Sequence, residues 1–125
     1  MPFALLIAGS PPFEAAIREG LARAEDATRF VAYDEALRAG AAIAVVAAEH
    51  EGDVAGLAPR ARRLHERHIP VIWLYPERAE TTLGRIATAA FPVRSRFVDA
   101  EDPYASARVV AEAVARIAKV GRTLR

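Results

Sequence analysis

The side chains able to do chemistry in this chain fall in a few short clusters. Ser10 sits in the turn Gly9-Ser10-Pro11-Pro12, a polar run covers Glu49-His50-Glu51-Gly52-Asp53, Tyr75 precedes Pro76, and Asp99 is followed by Glu101 and Asp102. Ser10 lies where an apolar run gives way to a helical pattern, a place where backbone N–H groups and the helix dipole attract phosphate or carboxylate. Pro11 and Pro12 remove two of those donors, and neither G-x-G-x-x-G nor a P-loop is present, so a simple capped turn competes with an anion site. Glu49, Asp53 and Asp99 supply the hard oxygens that a divalent cation or a polar ligand wants. The same acids also suit solvated loops that precede helices. Tyr75 offers a hydroxyl at the end of an apolar run, or fills core beneath a helix. Ser10, Glu49, Asp53, Tyr75 and Asp99 are therefore the candidate ligand-binding residues; no catalytic or metal-ligating set stands out.

Other chemistry is excluded more firmly. Cysteine is absent, which removes disulfides, thiolate catalysis and Cys-type metal sites and fits a reducing cytoplasm. His50, His65 and His68 show no metal-ligand spacing with a partnering glutamate, and no Ser-His-acid set can be nominated. No cofactor is expected. The net charge of +1 gives no long-range field for nucleic acid or an anionic membrane. Arg60, Arg62, Arg63 and Arg67 make one basic ridge, but without interleaved aromatics it reads as a solvated helix face, and nucleic acid is not an expected partner. The apolar start, residues 1–8, is far shorter than a membrane span and lacks a basic flank, so Met1 reads as a mature cytoplasmic start with no membrane partner.

The elements that must position these residues follow from the hydrophobic pattern. Apolar runs at Phe3–Ala8, Arg29–Tyr33, Ala42–Ala48, Pro70–Tyr75 and Val93–Val98 alternate with amphipathic stretches. Residues 12–25 carry Phe13, Ile17, Leu21 and Ala24 at helical spacing, with Ser10 as the cap. Asp34 caps a short helix over Glu35–Ala39 that Gly40 ends. Glu49–Asp53 reads as a loop, Pro59 opens a helix through Arg67, and Glu77–Ala90 makes the fourth. A long last helix starts at Asp102-Pro103, with Val109, Val110, Ala113, Val114 and Ile117 as its buried stripe. The pattern predicts a single domain over 1–120 and a polar tail over 121–125. Strands buried on both faces and joined by helices make an α/β domain of three layers with a parallel sheet. At this length the expected form is a flavodoxin-like (βα)5 fold, doubly wound, with strand order 2-1-3-4-5.

The five βα units and the segment Arg67-His68-Ile69-Pro70-Val71-Ile72-Trp73-Leu74 resemble the receiver domain of bacterial response regulators, over nearly the whole chain and most specifically at the fourth strand. The resemblance implies an acidic pair after strand one, a phosphoacceptor aspartate ending strand three, a hydroxyl residue ending strand four and a lysine ending strand five. This chain has Ala8-Gly9-Ser10, Ala47-Ala48, Tyr75-Pro76 and Val98-Asp99-Ala100 at those places, and Lys119, its single lysine, lies in the last helix. What the resemblance implies is a pseudo-receiver, a non-enzymatic signalling protein that is not phosphorylated on aspartate and works by binding another protein or itself. Small residues on the last helix, Ala107, Ala111, Ala115 and Ala118, would let a second helix approach, which makes a homodimer face there an expectation. The rival reading is a small-molecule or nucleotide-binding α/β domain with its site at the carboxyl edge of the sheet.

Overall fold

A computed structural model describes residues 2–23, 29–87, 93–97 and 103–123. Its elements are β1 (Phe3–Ala8), α1 (Pro11–Ala22), β2 (Phe30–Val31), α2 (Tyr33–Ala39), β3 (Ile43–Ala48), α3 (Glu51–Glu66), β4 (Val71–Pro76), a 3₁₀ turn (Glu77–Ala79), α4 (Glu80–Ala87), β5 (Val93–Phe97) and α5 (Pro103–Thr123). β1 and β3 pair in parallel along their whole length, from Phe3 opposite Ile43 to Ala8 opposite Ala48. β2 lies outside β1 and β4 lies outside β3, all parallel, with β5 alongside β4, so the sheet runs β2-β1-β3-β4-β5. The α/β class with a parallel sheet is thus the one expected from alternating apolar runs and helices.

The sheet is buried on both faces because alternate residues of each central strand feed separate cores. Ala4, Leu6, Ala44, Val46, Val71, Trp73 and Tyr75 meet Ala36, Val54, Leu57, Ala61, Leu64 and Leu83 from α2, α3 and α4. Phe3, Val45, Ala47, Ile72 and Leu74 meet Phe13, Ile17 and Leu21 of α1 and Ala107, Ala111 and Val114 of α5. That is the physical content of apolar runs without polar alternation.

Several boundaries differ from the sequence reading. β2 keeps only Phe30–Val31 of the expected Arg29–Tyr33, and Tyr33 already belongs to α2. Asp34 stands in the first turn of that helix; the N-cap is Ala32. α3 begins at Glu51, eight residues before Pro59, so most of the expected polar loop is its first turn. The Asp53 carboxylate accepts the His50 N–H at 3.0 Å and satisfies a donor at the helix start, and burial of Val54, Leu57, Ala58, Ala61 and Leu64 carries the helix through Pro59. The segment expected as one helix from Glu77 is a 3₁₀ turn followed by α4. α5 runs to Thr123, through Gly121, where the pattern predicts a polar tail.

α5 is also rotated from the predicted phase. Val114 is buried and Val110 partly buried, as the pattern predicts, but Ala107, Ala111 and Ala115 are buried with them, whereas Val109 is 63% exposed and Ala113 faces solvent. The small residues expected to face a second copy are spent inside the chain: Ala111 packs on Gly20 of α1, and Ala107 and Ala115 join the same core. The side chains of Ala118 and Ile117 lie outside the described residues.

The end of α3 carries one strained residue. His68 has φ 63°, and its N–H bonds to His65 O at 2.9 Å while Ile69 N–H bonds to Leu64 O at 3.1 Å. This is a Schellman closure with histidine at the left-handed position that glycine fills without a Cβ penalty. His68→Gly is expected to raise unfolding free energy by about 0.5–1 kcal/mol, since the relieved strain exceeds the added freedom of the unfolded chain. A urea titration checks this; an unchanged or lower midpoint would contradict it.

Candidate functional site

The polar groups collect where a doubly wound sheet collects them, at the carboxyl ends of the strands. The Glu49 N–H donates to Ala8 O at 3.0 Å, which carries the β1–β3 ladder one residue past the end of β3 and sets Glu49 beside the β1–α1 turn. Gly9 makes that approach possible: a Cβ there would lie 2.7 Å from the Glu49 Cβ and 2.7 Å from Phe13 Cδ2. Glu49 itself is only 5% exposed, the one charged residue buried among those described.

Its carboxylate is surrounded by donors. Ser10 Oγ lies 2.7 Å from Oε1 and 3.0 Å from Oε2, and the Ser10 N–H reaches Oε2 at 3.2 Å. The Tyr104 hydroxyl, from the first turn of α5, donates to Oε1 at 3.3 Å. His50 Nε2 stands 3.4 Å from Oε2, and Arg78, from the 3₁₀ turn after β4, donates to the Glu49 main-chain O at 2.9 Å and lies 3.2 Å from His50 Nδ1. Burial pushes the Glu49 carboxyl up; the Ser10 hydroxyl and amide, the His50 ring and the Tyr104 hydroxyl together outweigh it and hold its pKa below the ordinary glutamate value. Ser10 also caps α1, its Oγ accepting the Phe13 N–H at 3.5 Å.

The anion that a helix N-terminus attracts is therefore supplied by the protein, since the Glu49 carboxylate occupies the start of α1. This removes the vacant anion site that Ser10 suggested. The geometry also makes a poor catalytic set. His50 touches Glu49 and not Ser10; the group that accepts from the Ser10 hydroxyl is the Glu49 carboxylate, whose lowered pKa makes it a weak proton acceptor. What the cluster does is tie together β1–α1, β3–α3, the turn after β4 and the start of α5.

Of the five candidate residues, Ser10 and Glu49 come together. Asp53 is turned to the His50 amide at the start of α3. Tyr75 is buried in the core on the α3 side, and its hydroxyl donates to the Glu80 carboxylate. Asp99 lies outside the described residues. Among the described residues no group of three or more His, Asp or Glu is placed to hold a metal ion, and no helix is long and apolar enough to cross a membrane. Tyr104, Arg78 and His50 are the members that spacing alone did not bring to the site; only the rule that loops after parallel strands share one edge pointed toward them.

No protein-family model matches the chain, and no curated protein matches its sequence.

Proposed function

We propose that this chain is a non-catalytic, receiver-like regulatory domain of the flavodoxin-like (βα)5 type, acting in a bacterial cytoplasm through contacts with another protein. The observation that carries this reading is Glu49. At the strand-three end, where the receiver resemblance calls for a free aspartate, this chain has Ala47 and Ala48 and then a buried carboxylate held by Ser10 and Tyr104. The carboxylate is a structural tie with its lone pairs engaged, and strand four ends in Tyr75-Pro76, whose hydroxyl is given to Glu80. A fold whose polar groups after β1 and β3 are closed on one another in this way has its outer surface left for signalling.

The test is direct. The full chain incubated with a small-molecule phosphodonor and Mg²⁺ should keep its intact mass, and its circular dichroism melt should not move. A hydroxylamine-labile gain of one phosphoryl group would overturn the reading.

A further inference from the structure

β1 is paired along its whole length on one side only. On the β2 side the register stops at Phe3 opposite Phe30 and Ala4 opposite Val31, because the chain leaves the sheet at Ala32 to begin α2. Main-chain groups alternate in direction along a strand, and here the alternation can be assigned. Pro2 O and Ala8 O accept from Ala42 and Glu49 on the β3 side, while the Phe3 N–H donates to Arg29 O on the β2 side. Odd residues thus face β2, so the N–H and C=O of Ile7 point along an edge that has no strand beside it among the described residues. A cavity of about 560 Å³ lies at this place, lined by Ile7, by Glu14 and Arg18 of α1, by Tyr33 and Asp34 at the start of α2, and by Arg60 of α3.

Charge decides between occupants. Arg18 is paired with Glu14 at 3.1 Å, so of the two arginines in the lining Arg60 alone is left to meet an anion, a single charge that suits one carboxylate side chain rather than a phosphate. Arg60 stands with its guanidinium 6.0 Å from the Tyr33 ring centroid, without a carboxylate within ion-pair distance among the described residues. An open strand edge is a template for another strand, main-chain hydrogen bonds giving affinity and side-chain contacts giving selection.

We infer that the open edge of β1 over Leu5–Ile7 is a docking site for a short extended segment of a partner protein, which continues the line of β2 and places an acidic side chain against Arg60. The three residues from Leu5 to Ile7 offer roughly 10 Å of edge, enough for about three residues of an added strand. The inference rests on the reading of this chain as a protein-binding module, and names where the partner binds.

The experiment uses the ¹⁵N-labelled full chain and a capped pentapeptide of alternating threonine and valine with a central glutamate. Titration to millimolar peptide should shift the amide resonances of Leu5, Ile7 and Tyr33 and slow hydrogen exchange at Ile7. Replacing the central glutamate by lysine should weaken binding at least several-fold, Arg60→Glu should reverse that preference, and backbone N-methylation on alternate residues should abolish binding. Arg60 is exposed, so the variant should melt as the parent does. No shift at Leu5, Ile7 or Tyr33, or equal binding of the N-methylated peptide, would overturn the inference. So would the same shifts on raising protein concentration without peptide, which would make a second copy the occupant. Phosphorylation in the phosphodonor experiment would instead defeat the underlying reading, whatever the peptide does.

Discussion

Glu49→Ala is expected to lower the unfolding free energy by about 2–4 kcal/mol, because it leaves the Ser10 hydroxyl and the Tyr104 hydroxyl without their shared acceptor in a partly buried place. Glu49→Gln keeps the shape and one acceptor oxygen but turns an NH₂ group toward donors, so about 1–2 kcal/mol should be lost. Denaturant titrations with unchanged slope would read both as stability changes. A loss below about 0.5 kcal/mol for Glu49→Ala would mean that the cluster is a surface arrangement of little energetic weight.

The same residue sets a pH dependence whose sign follows from the lowered pKa. In the unfolded chain Glu49 titrates near the ordinary value of 4.5, and in the folded chain below it. The folded form thus holds its proton less tightly, and the stabilisation is fully present above the unfolded value and lost as pH falls through the folded one. The stability gap between parent and Glu49→Gln should be constant around neutrality and shrink in acid below pH 4.5. A gap that widened on acidification would show that the buried carboxyl is held protonated instead, with desolvation outweighing its donors.

How much of this was legible beforehand depends on range. β1, β3 and β4 could be read because strands buried on both faces leave uninterrupted β-branched and alanine-rich runs, and α1 because Phe13, Ile17 and Leu21 repeat at helical period. The phase of α5 is ambiguous by a fraction of a turn in the sequence, since Val109 and Ala113 match a hydrophobic stripe as well as Ala107 and Ala111 do; only the close approach of α1 decides that the smaller residues go inside. The start of α3 is hidden because Pro59 resembles a first-turn proline, while the stronger signal, Asp53 three residues after His50, resembles loop polarity. At the site, Ser10 and Glu49 were both visible as candidates, but as groups awaiting a ligand. Their direct pairing depends on the β1–β3 register and on the absence of a Cβ at Gly9, neither of which is written in local sequence.

The α1–α5 seam holds the other large expected effect. Gly20 faces α5 so closely that a Cβ would stand 2.3 Å from Arg108 O and 2.9 Å from the Ala111 Cβ. Arg108 O is main chain of a helix and cannot swing aside as a flexible side chain would, so Gly20→Ala must part the two helices. The parting would loosen Phe13, Ile17 and Leu21 from Ala107, Ala111 and Val114 and stretch the Arg108–Glu19 ion pair at 3.3 Å. A loss of about 1–3 kcal/mol is expected. Gly56→Ala is the matched control, because it lies in the interior of α3 with nothing within 4 Å of the added methyl, and helix propensity alone should make it more stable by about 0.5–1 kcal/mol. The opposite signs separate packing from propensity in one pair of melts; a Gly20→Ala protein as stable as its parent would refute the tight seam. Ser10 caps α1 and α5 carries Tyr104, so the seam also sets the distance between two donors of Glu49. Gly20→Ala and Glu49→Gln should therefore lose less together than the sum of their separate losses, by more than about 0.5 kcal/mol.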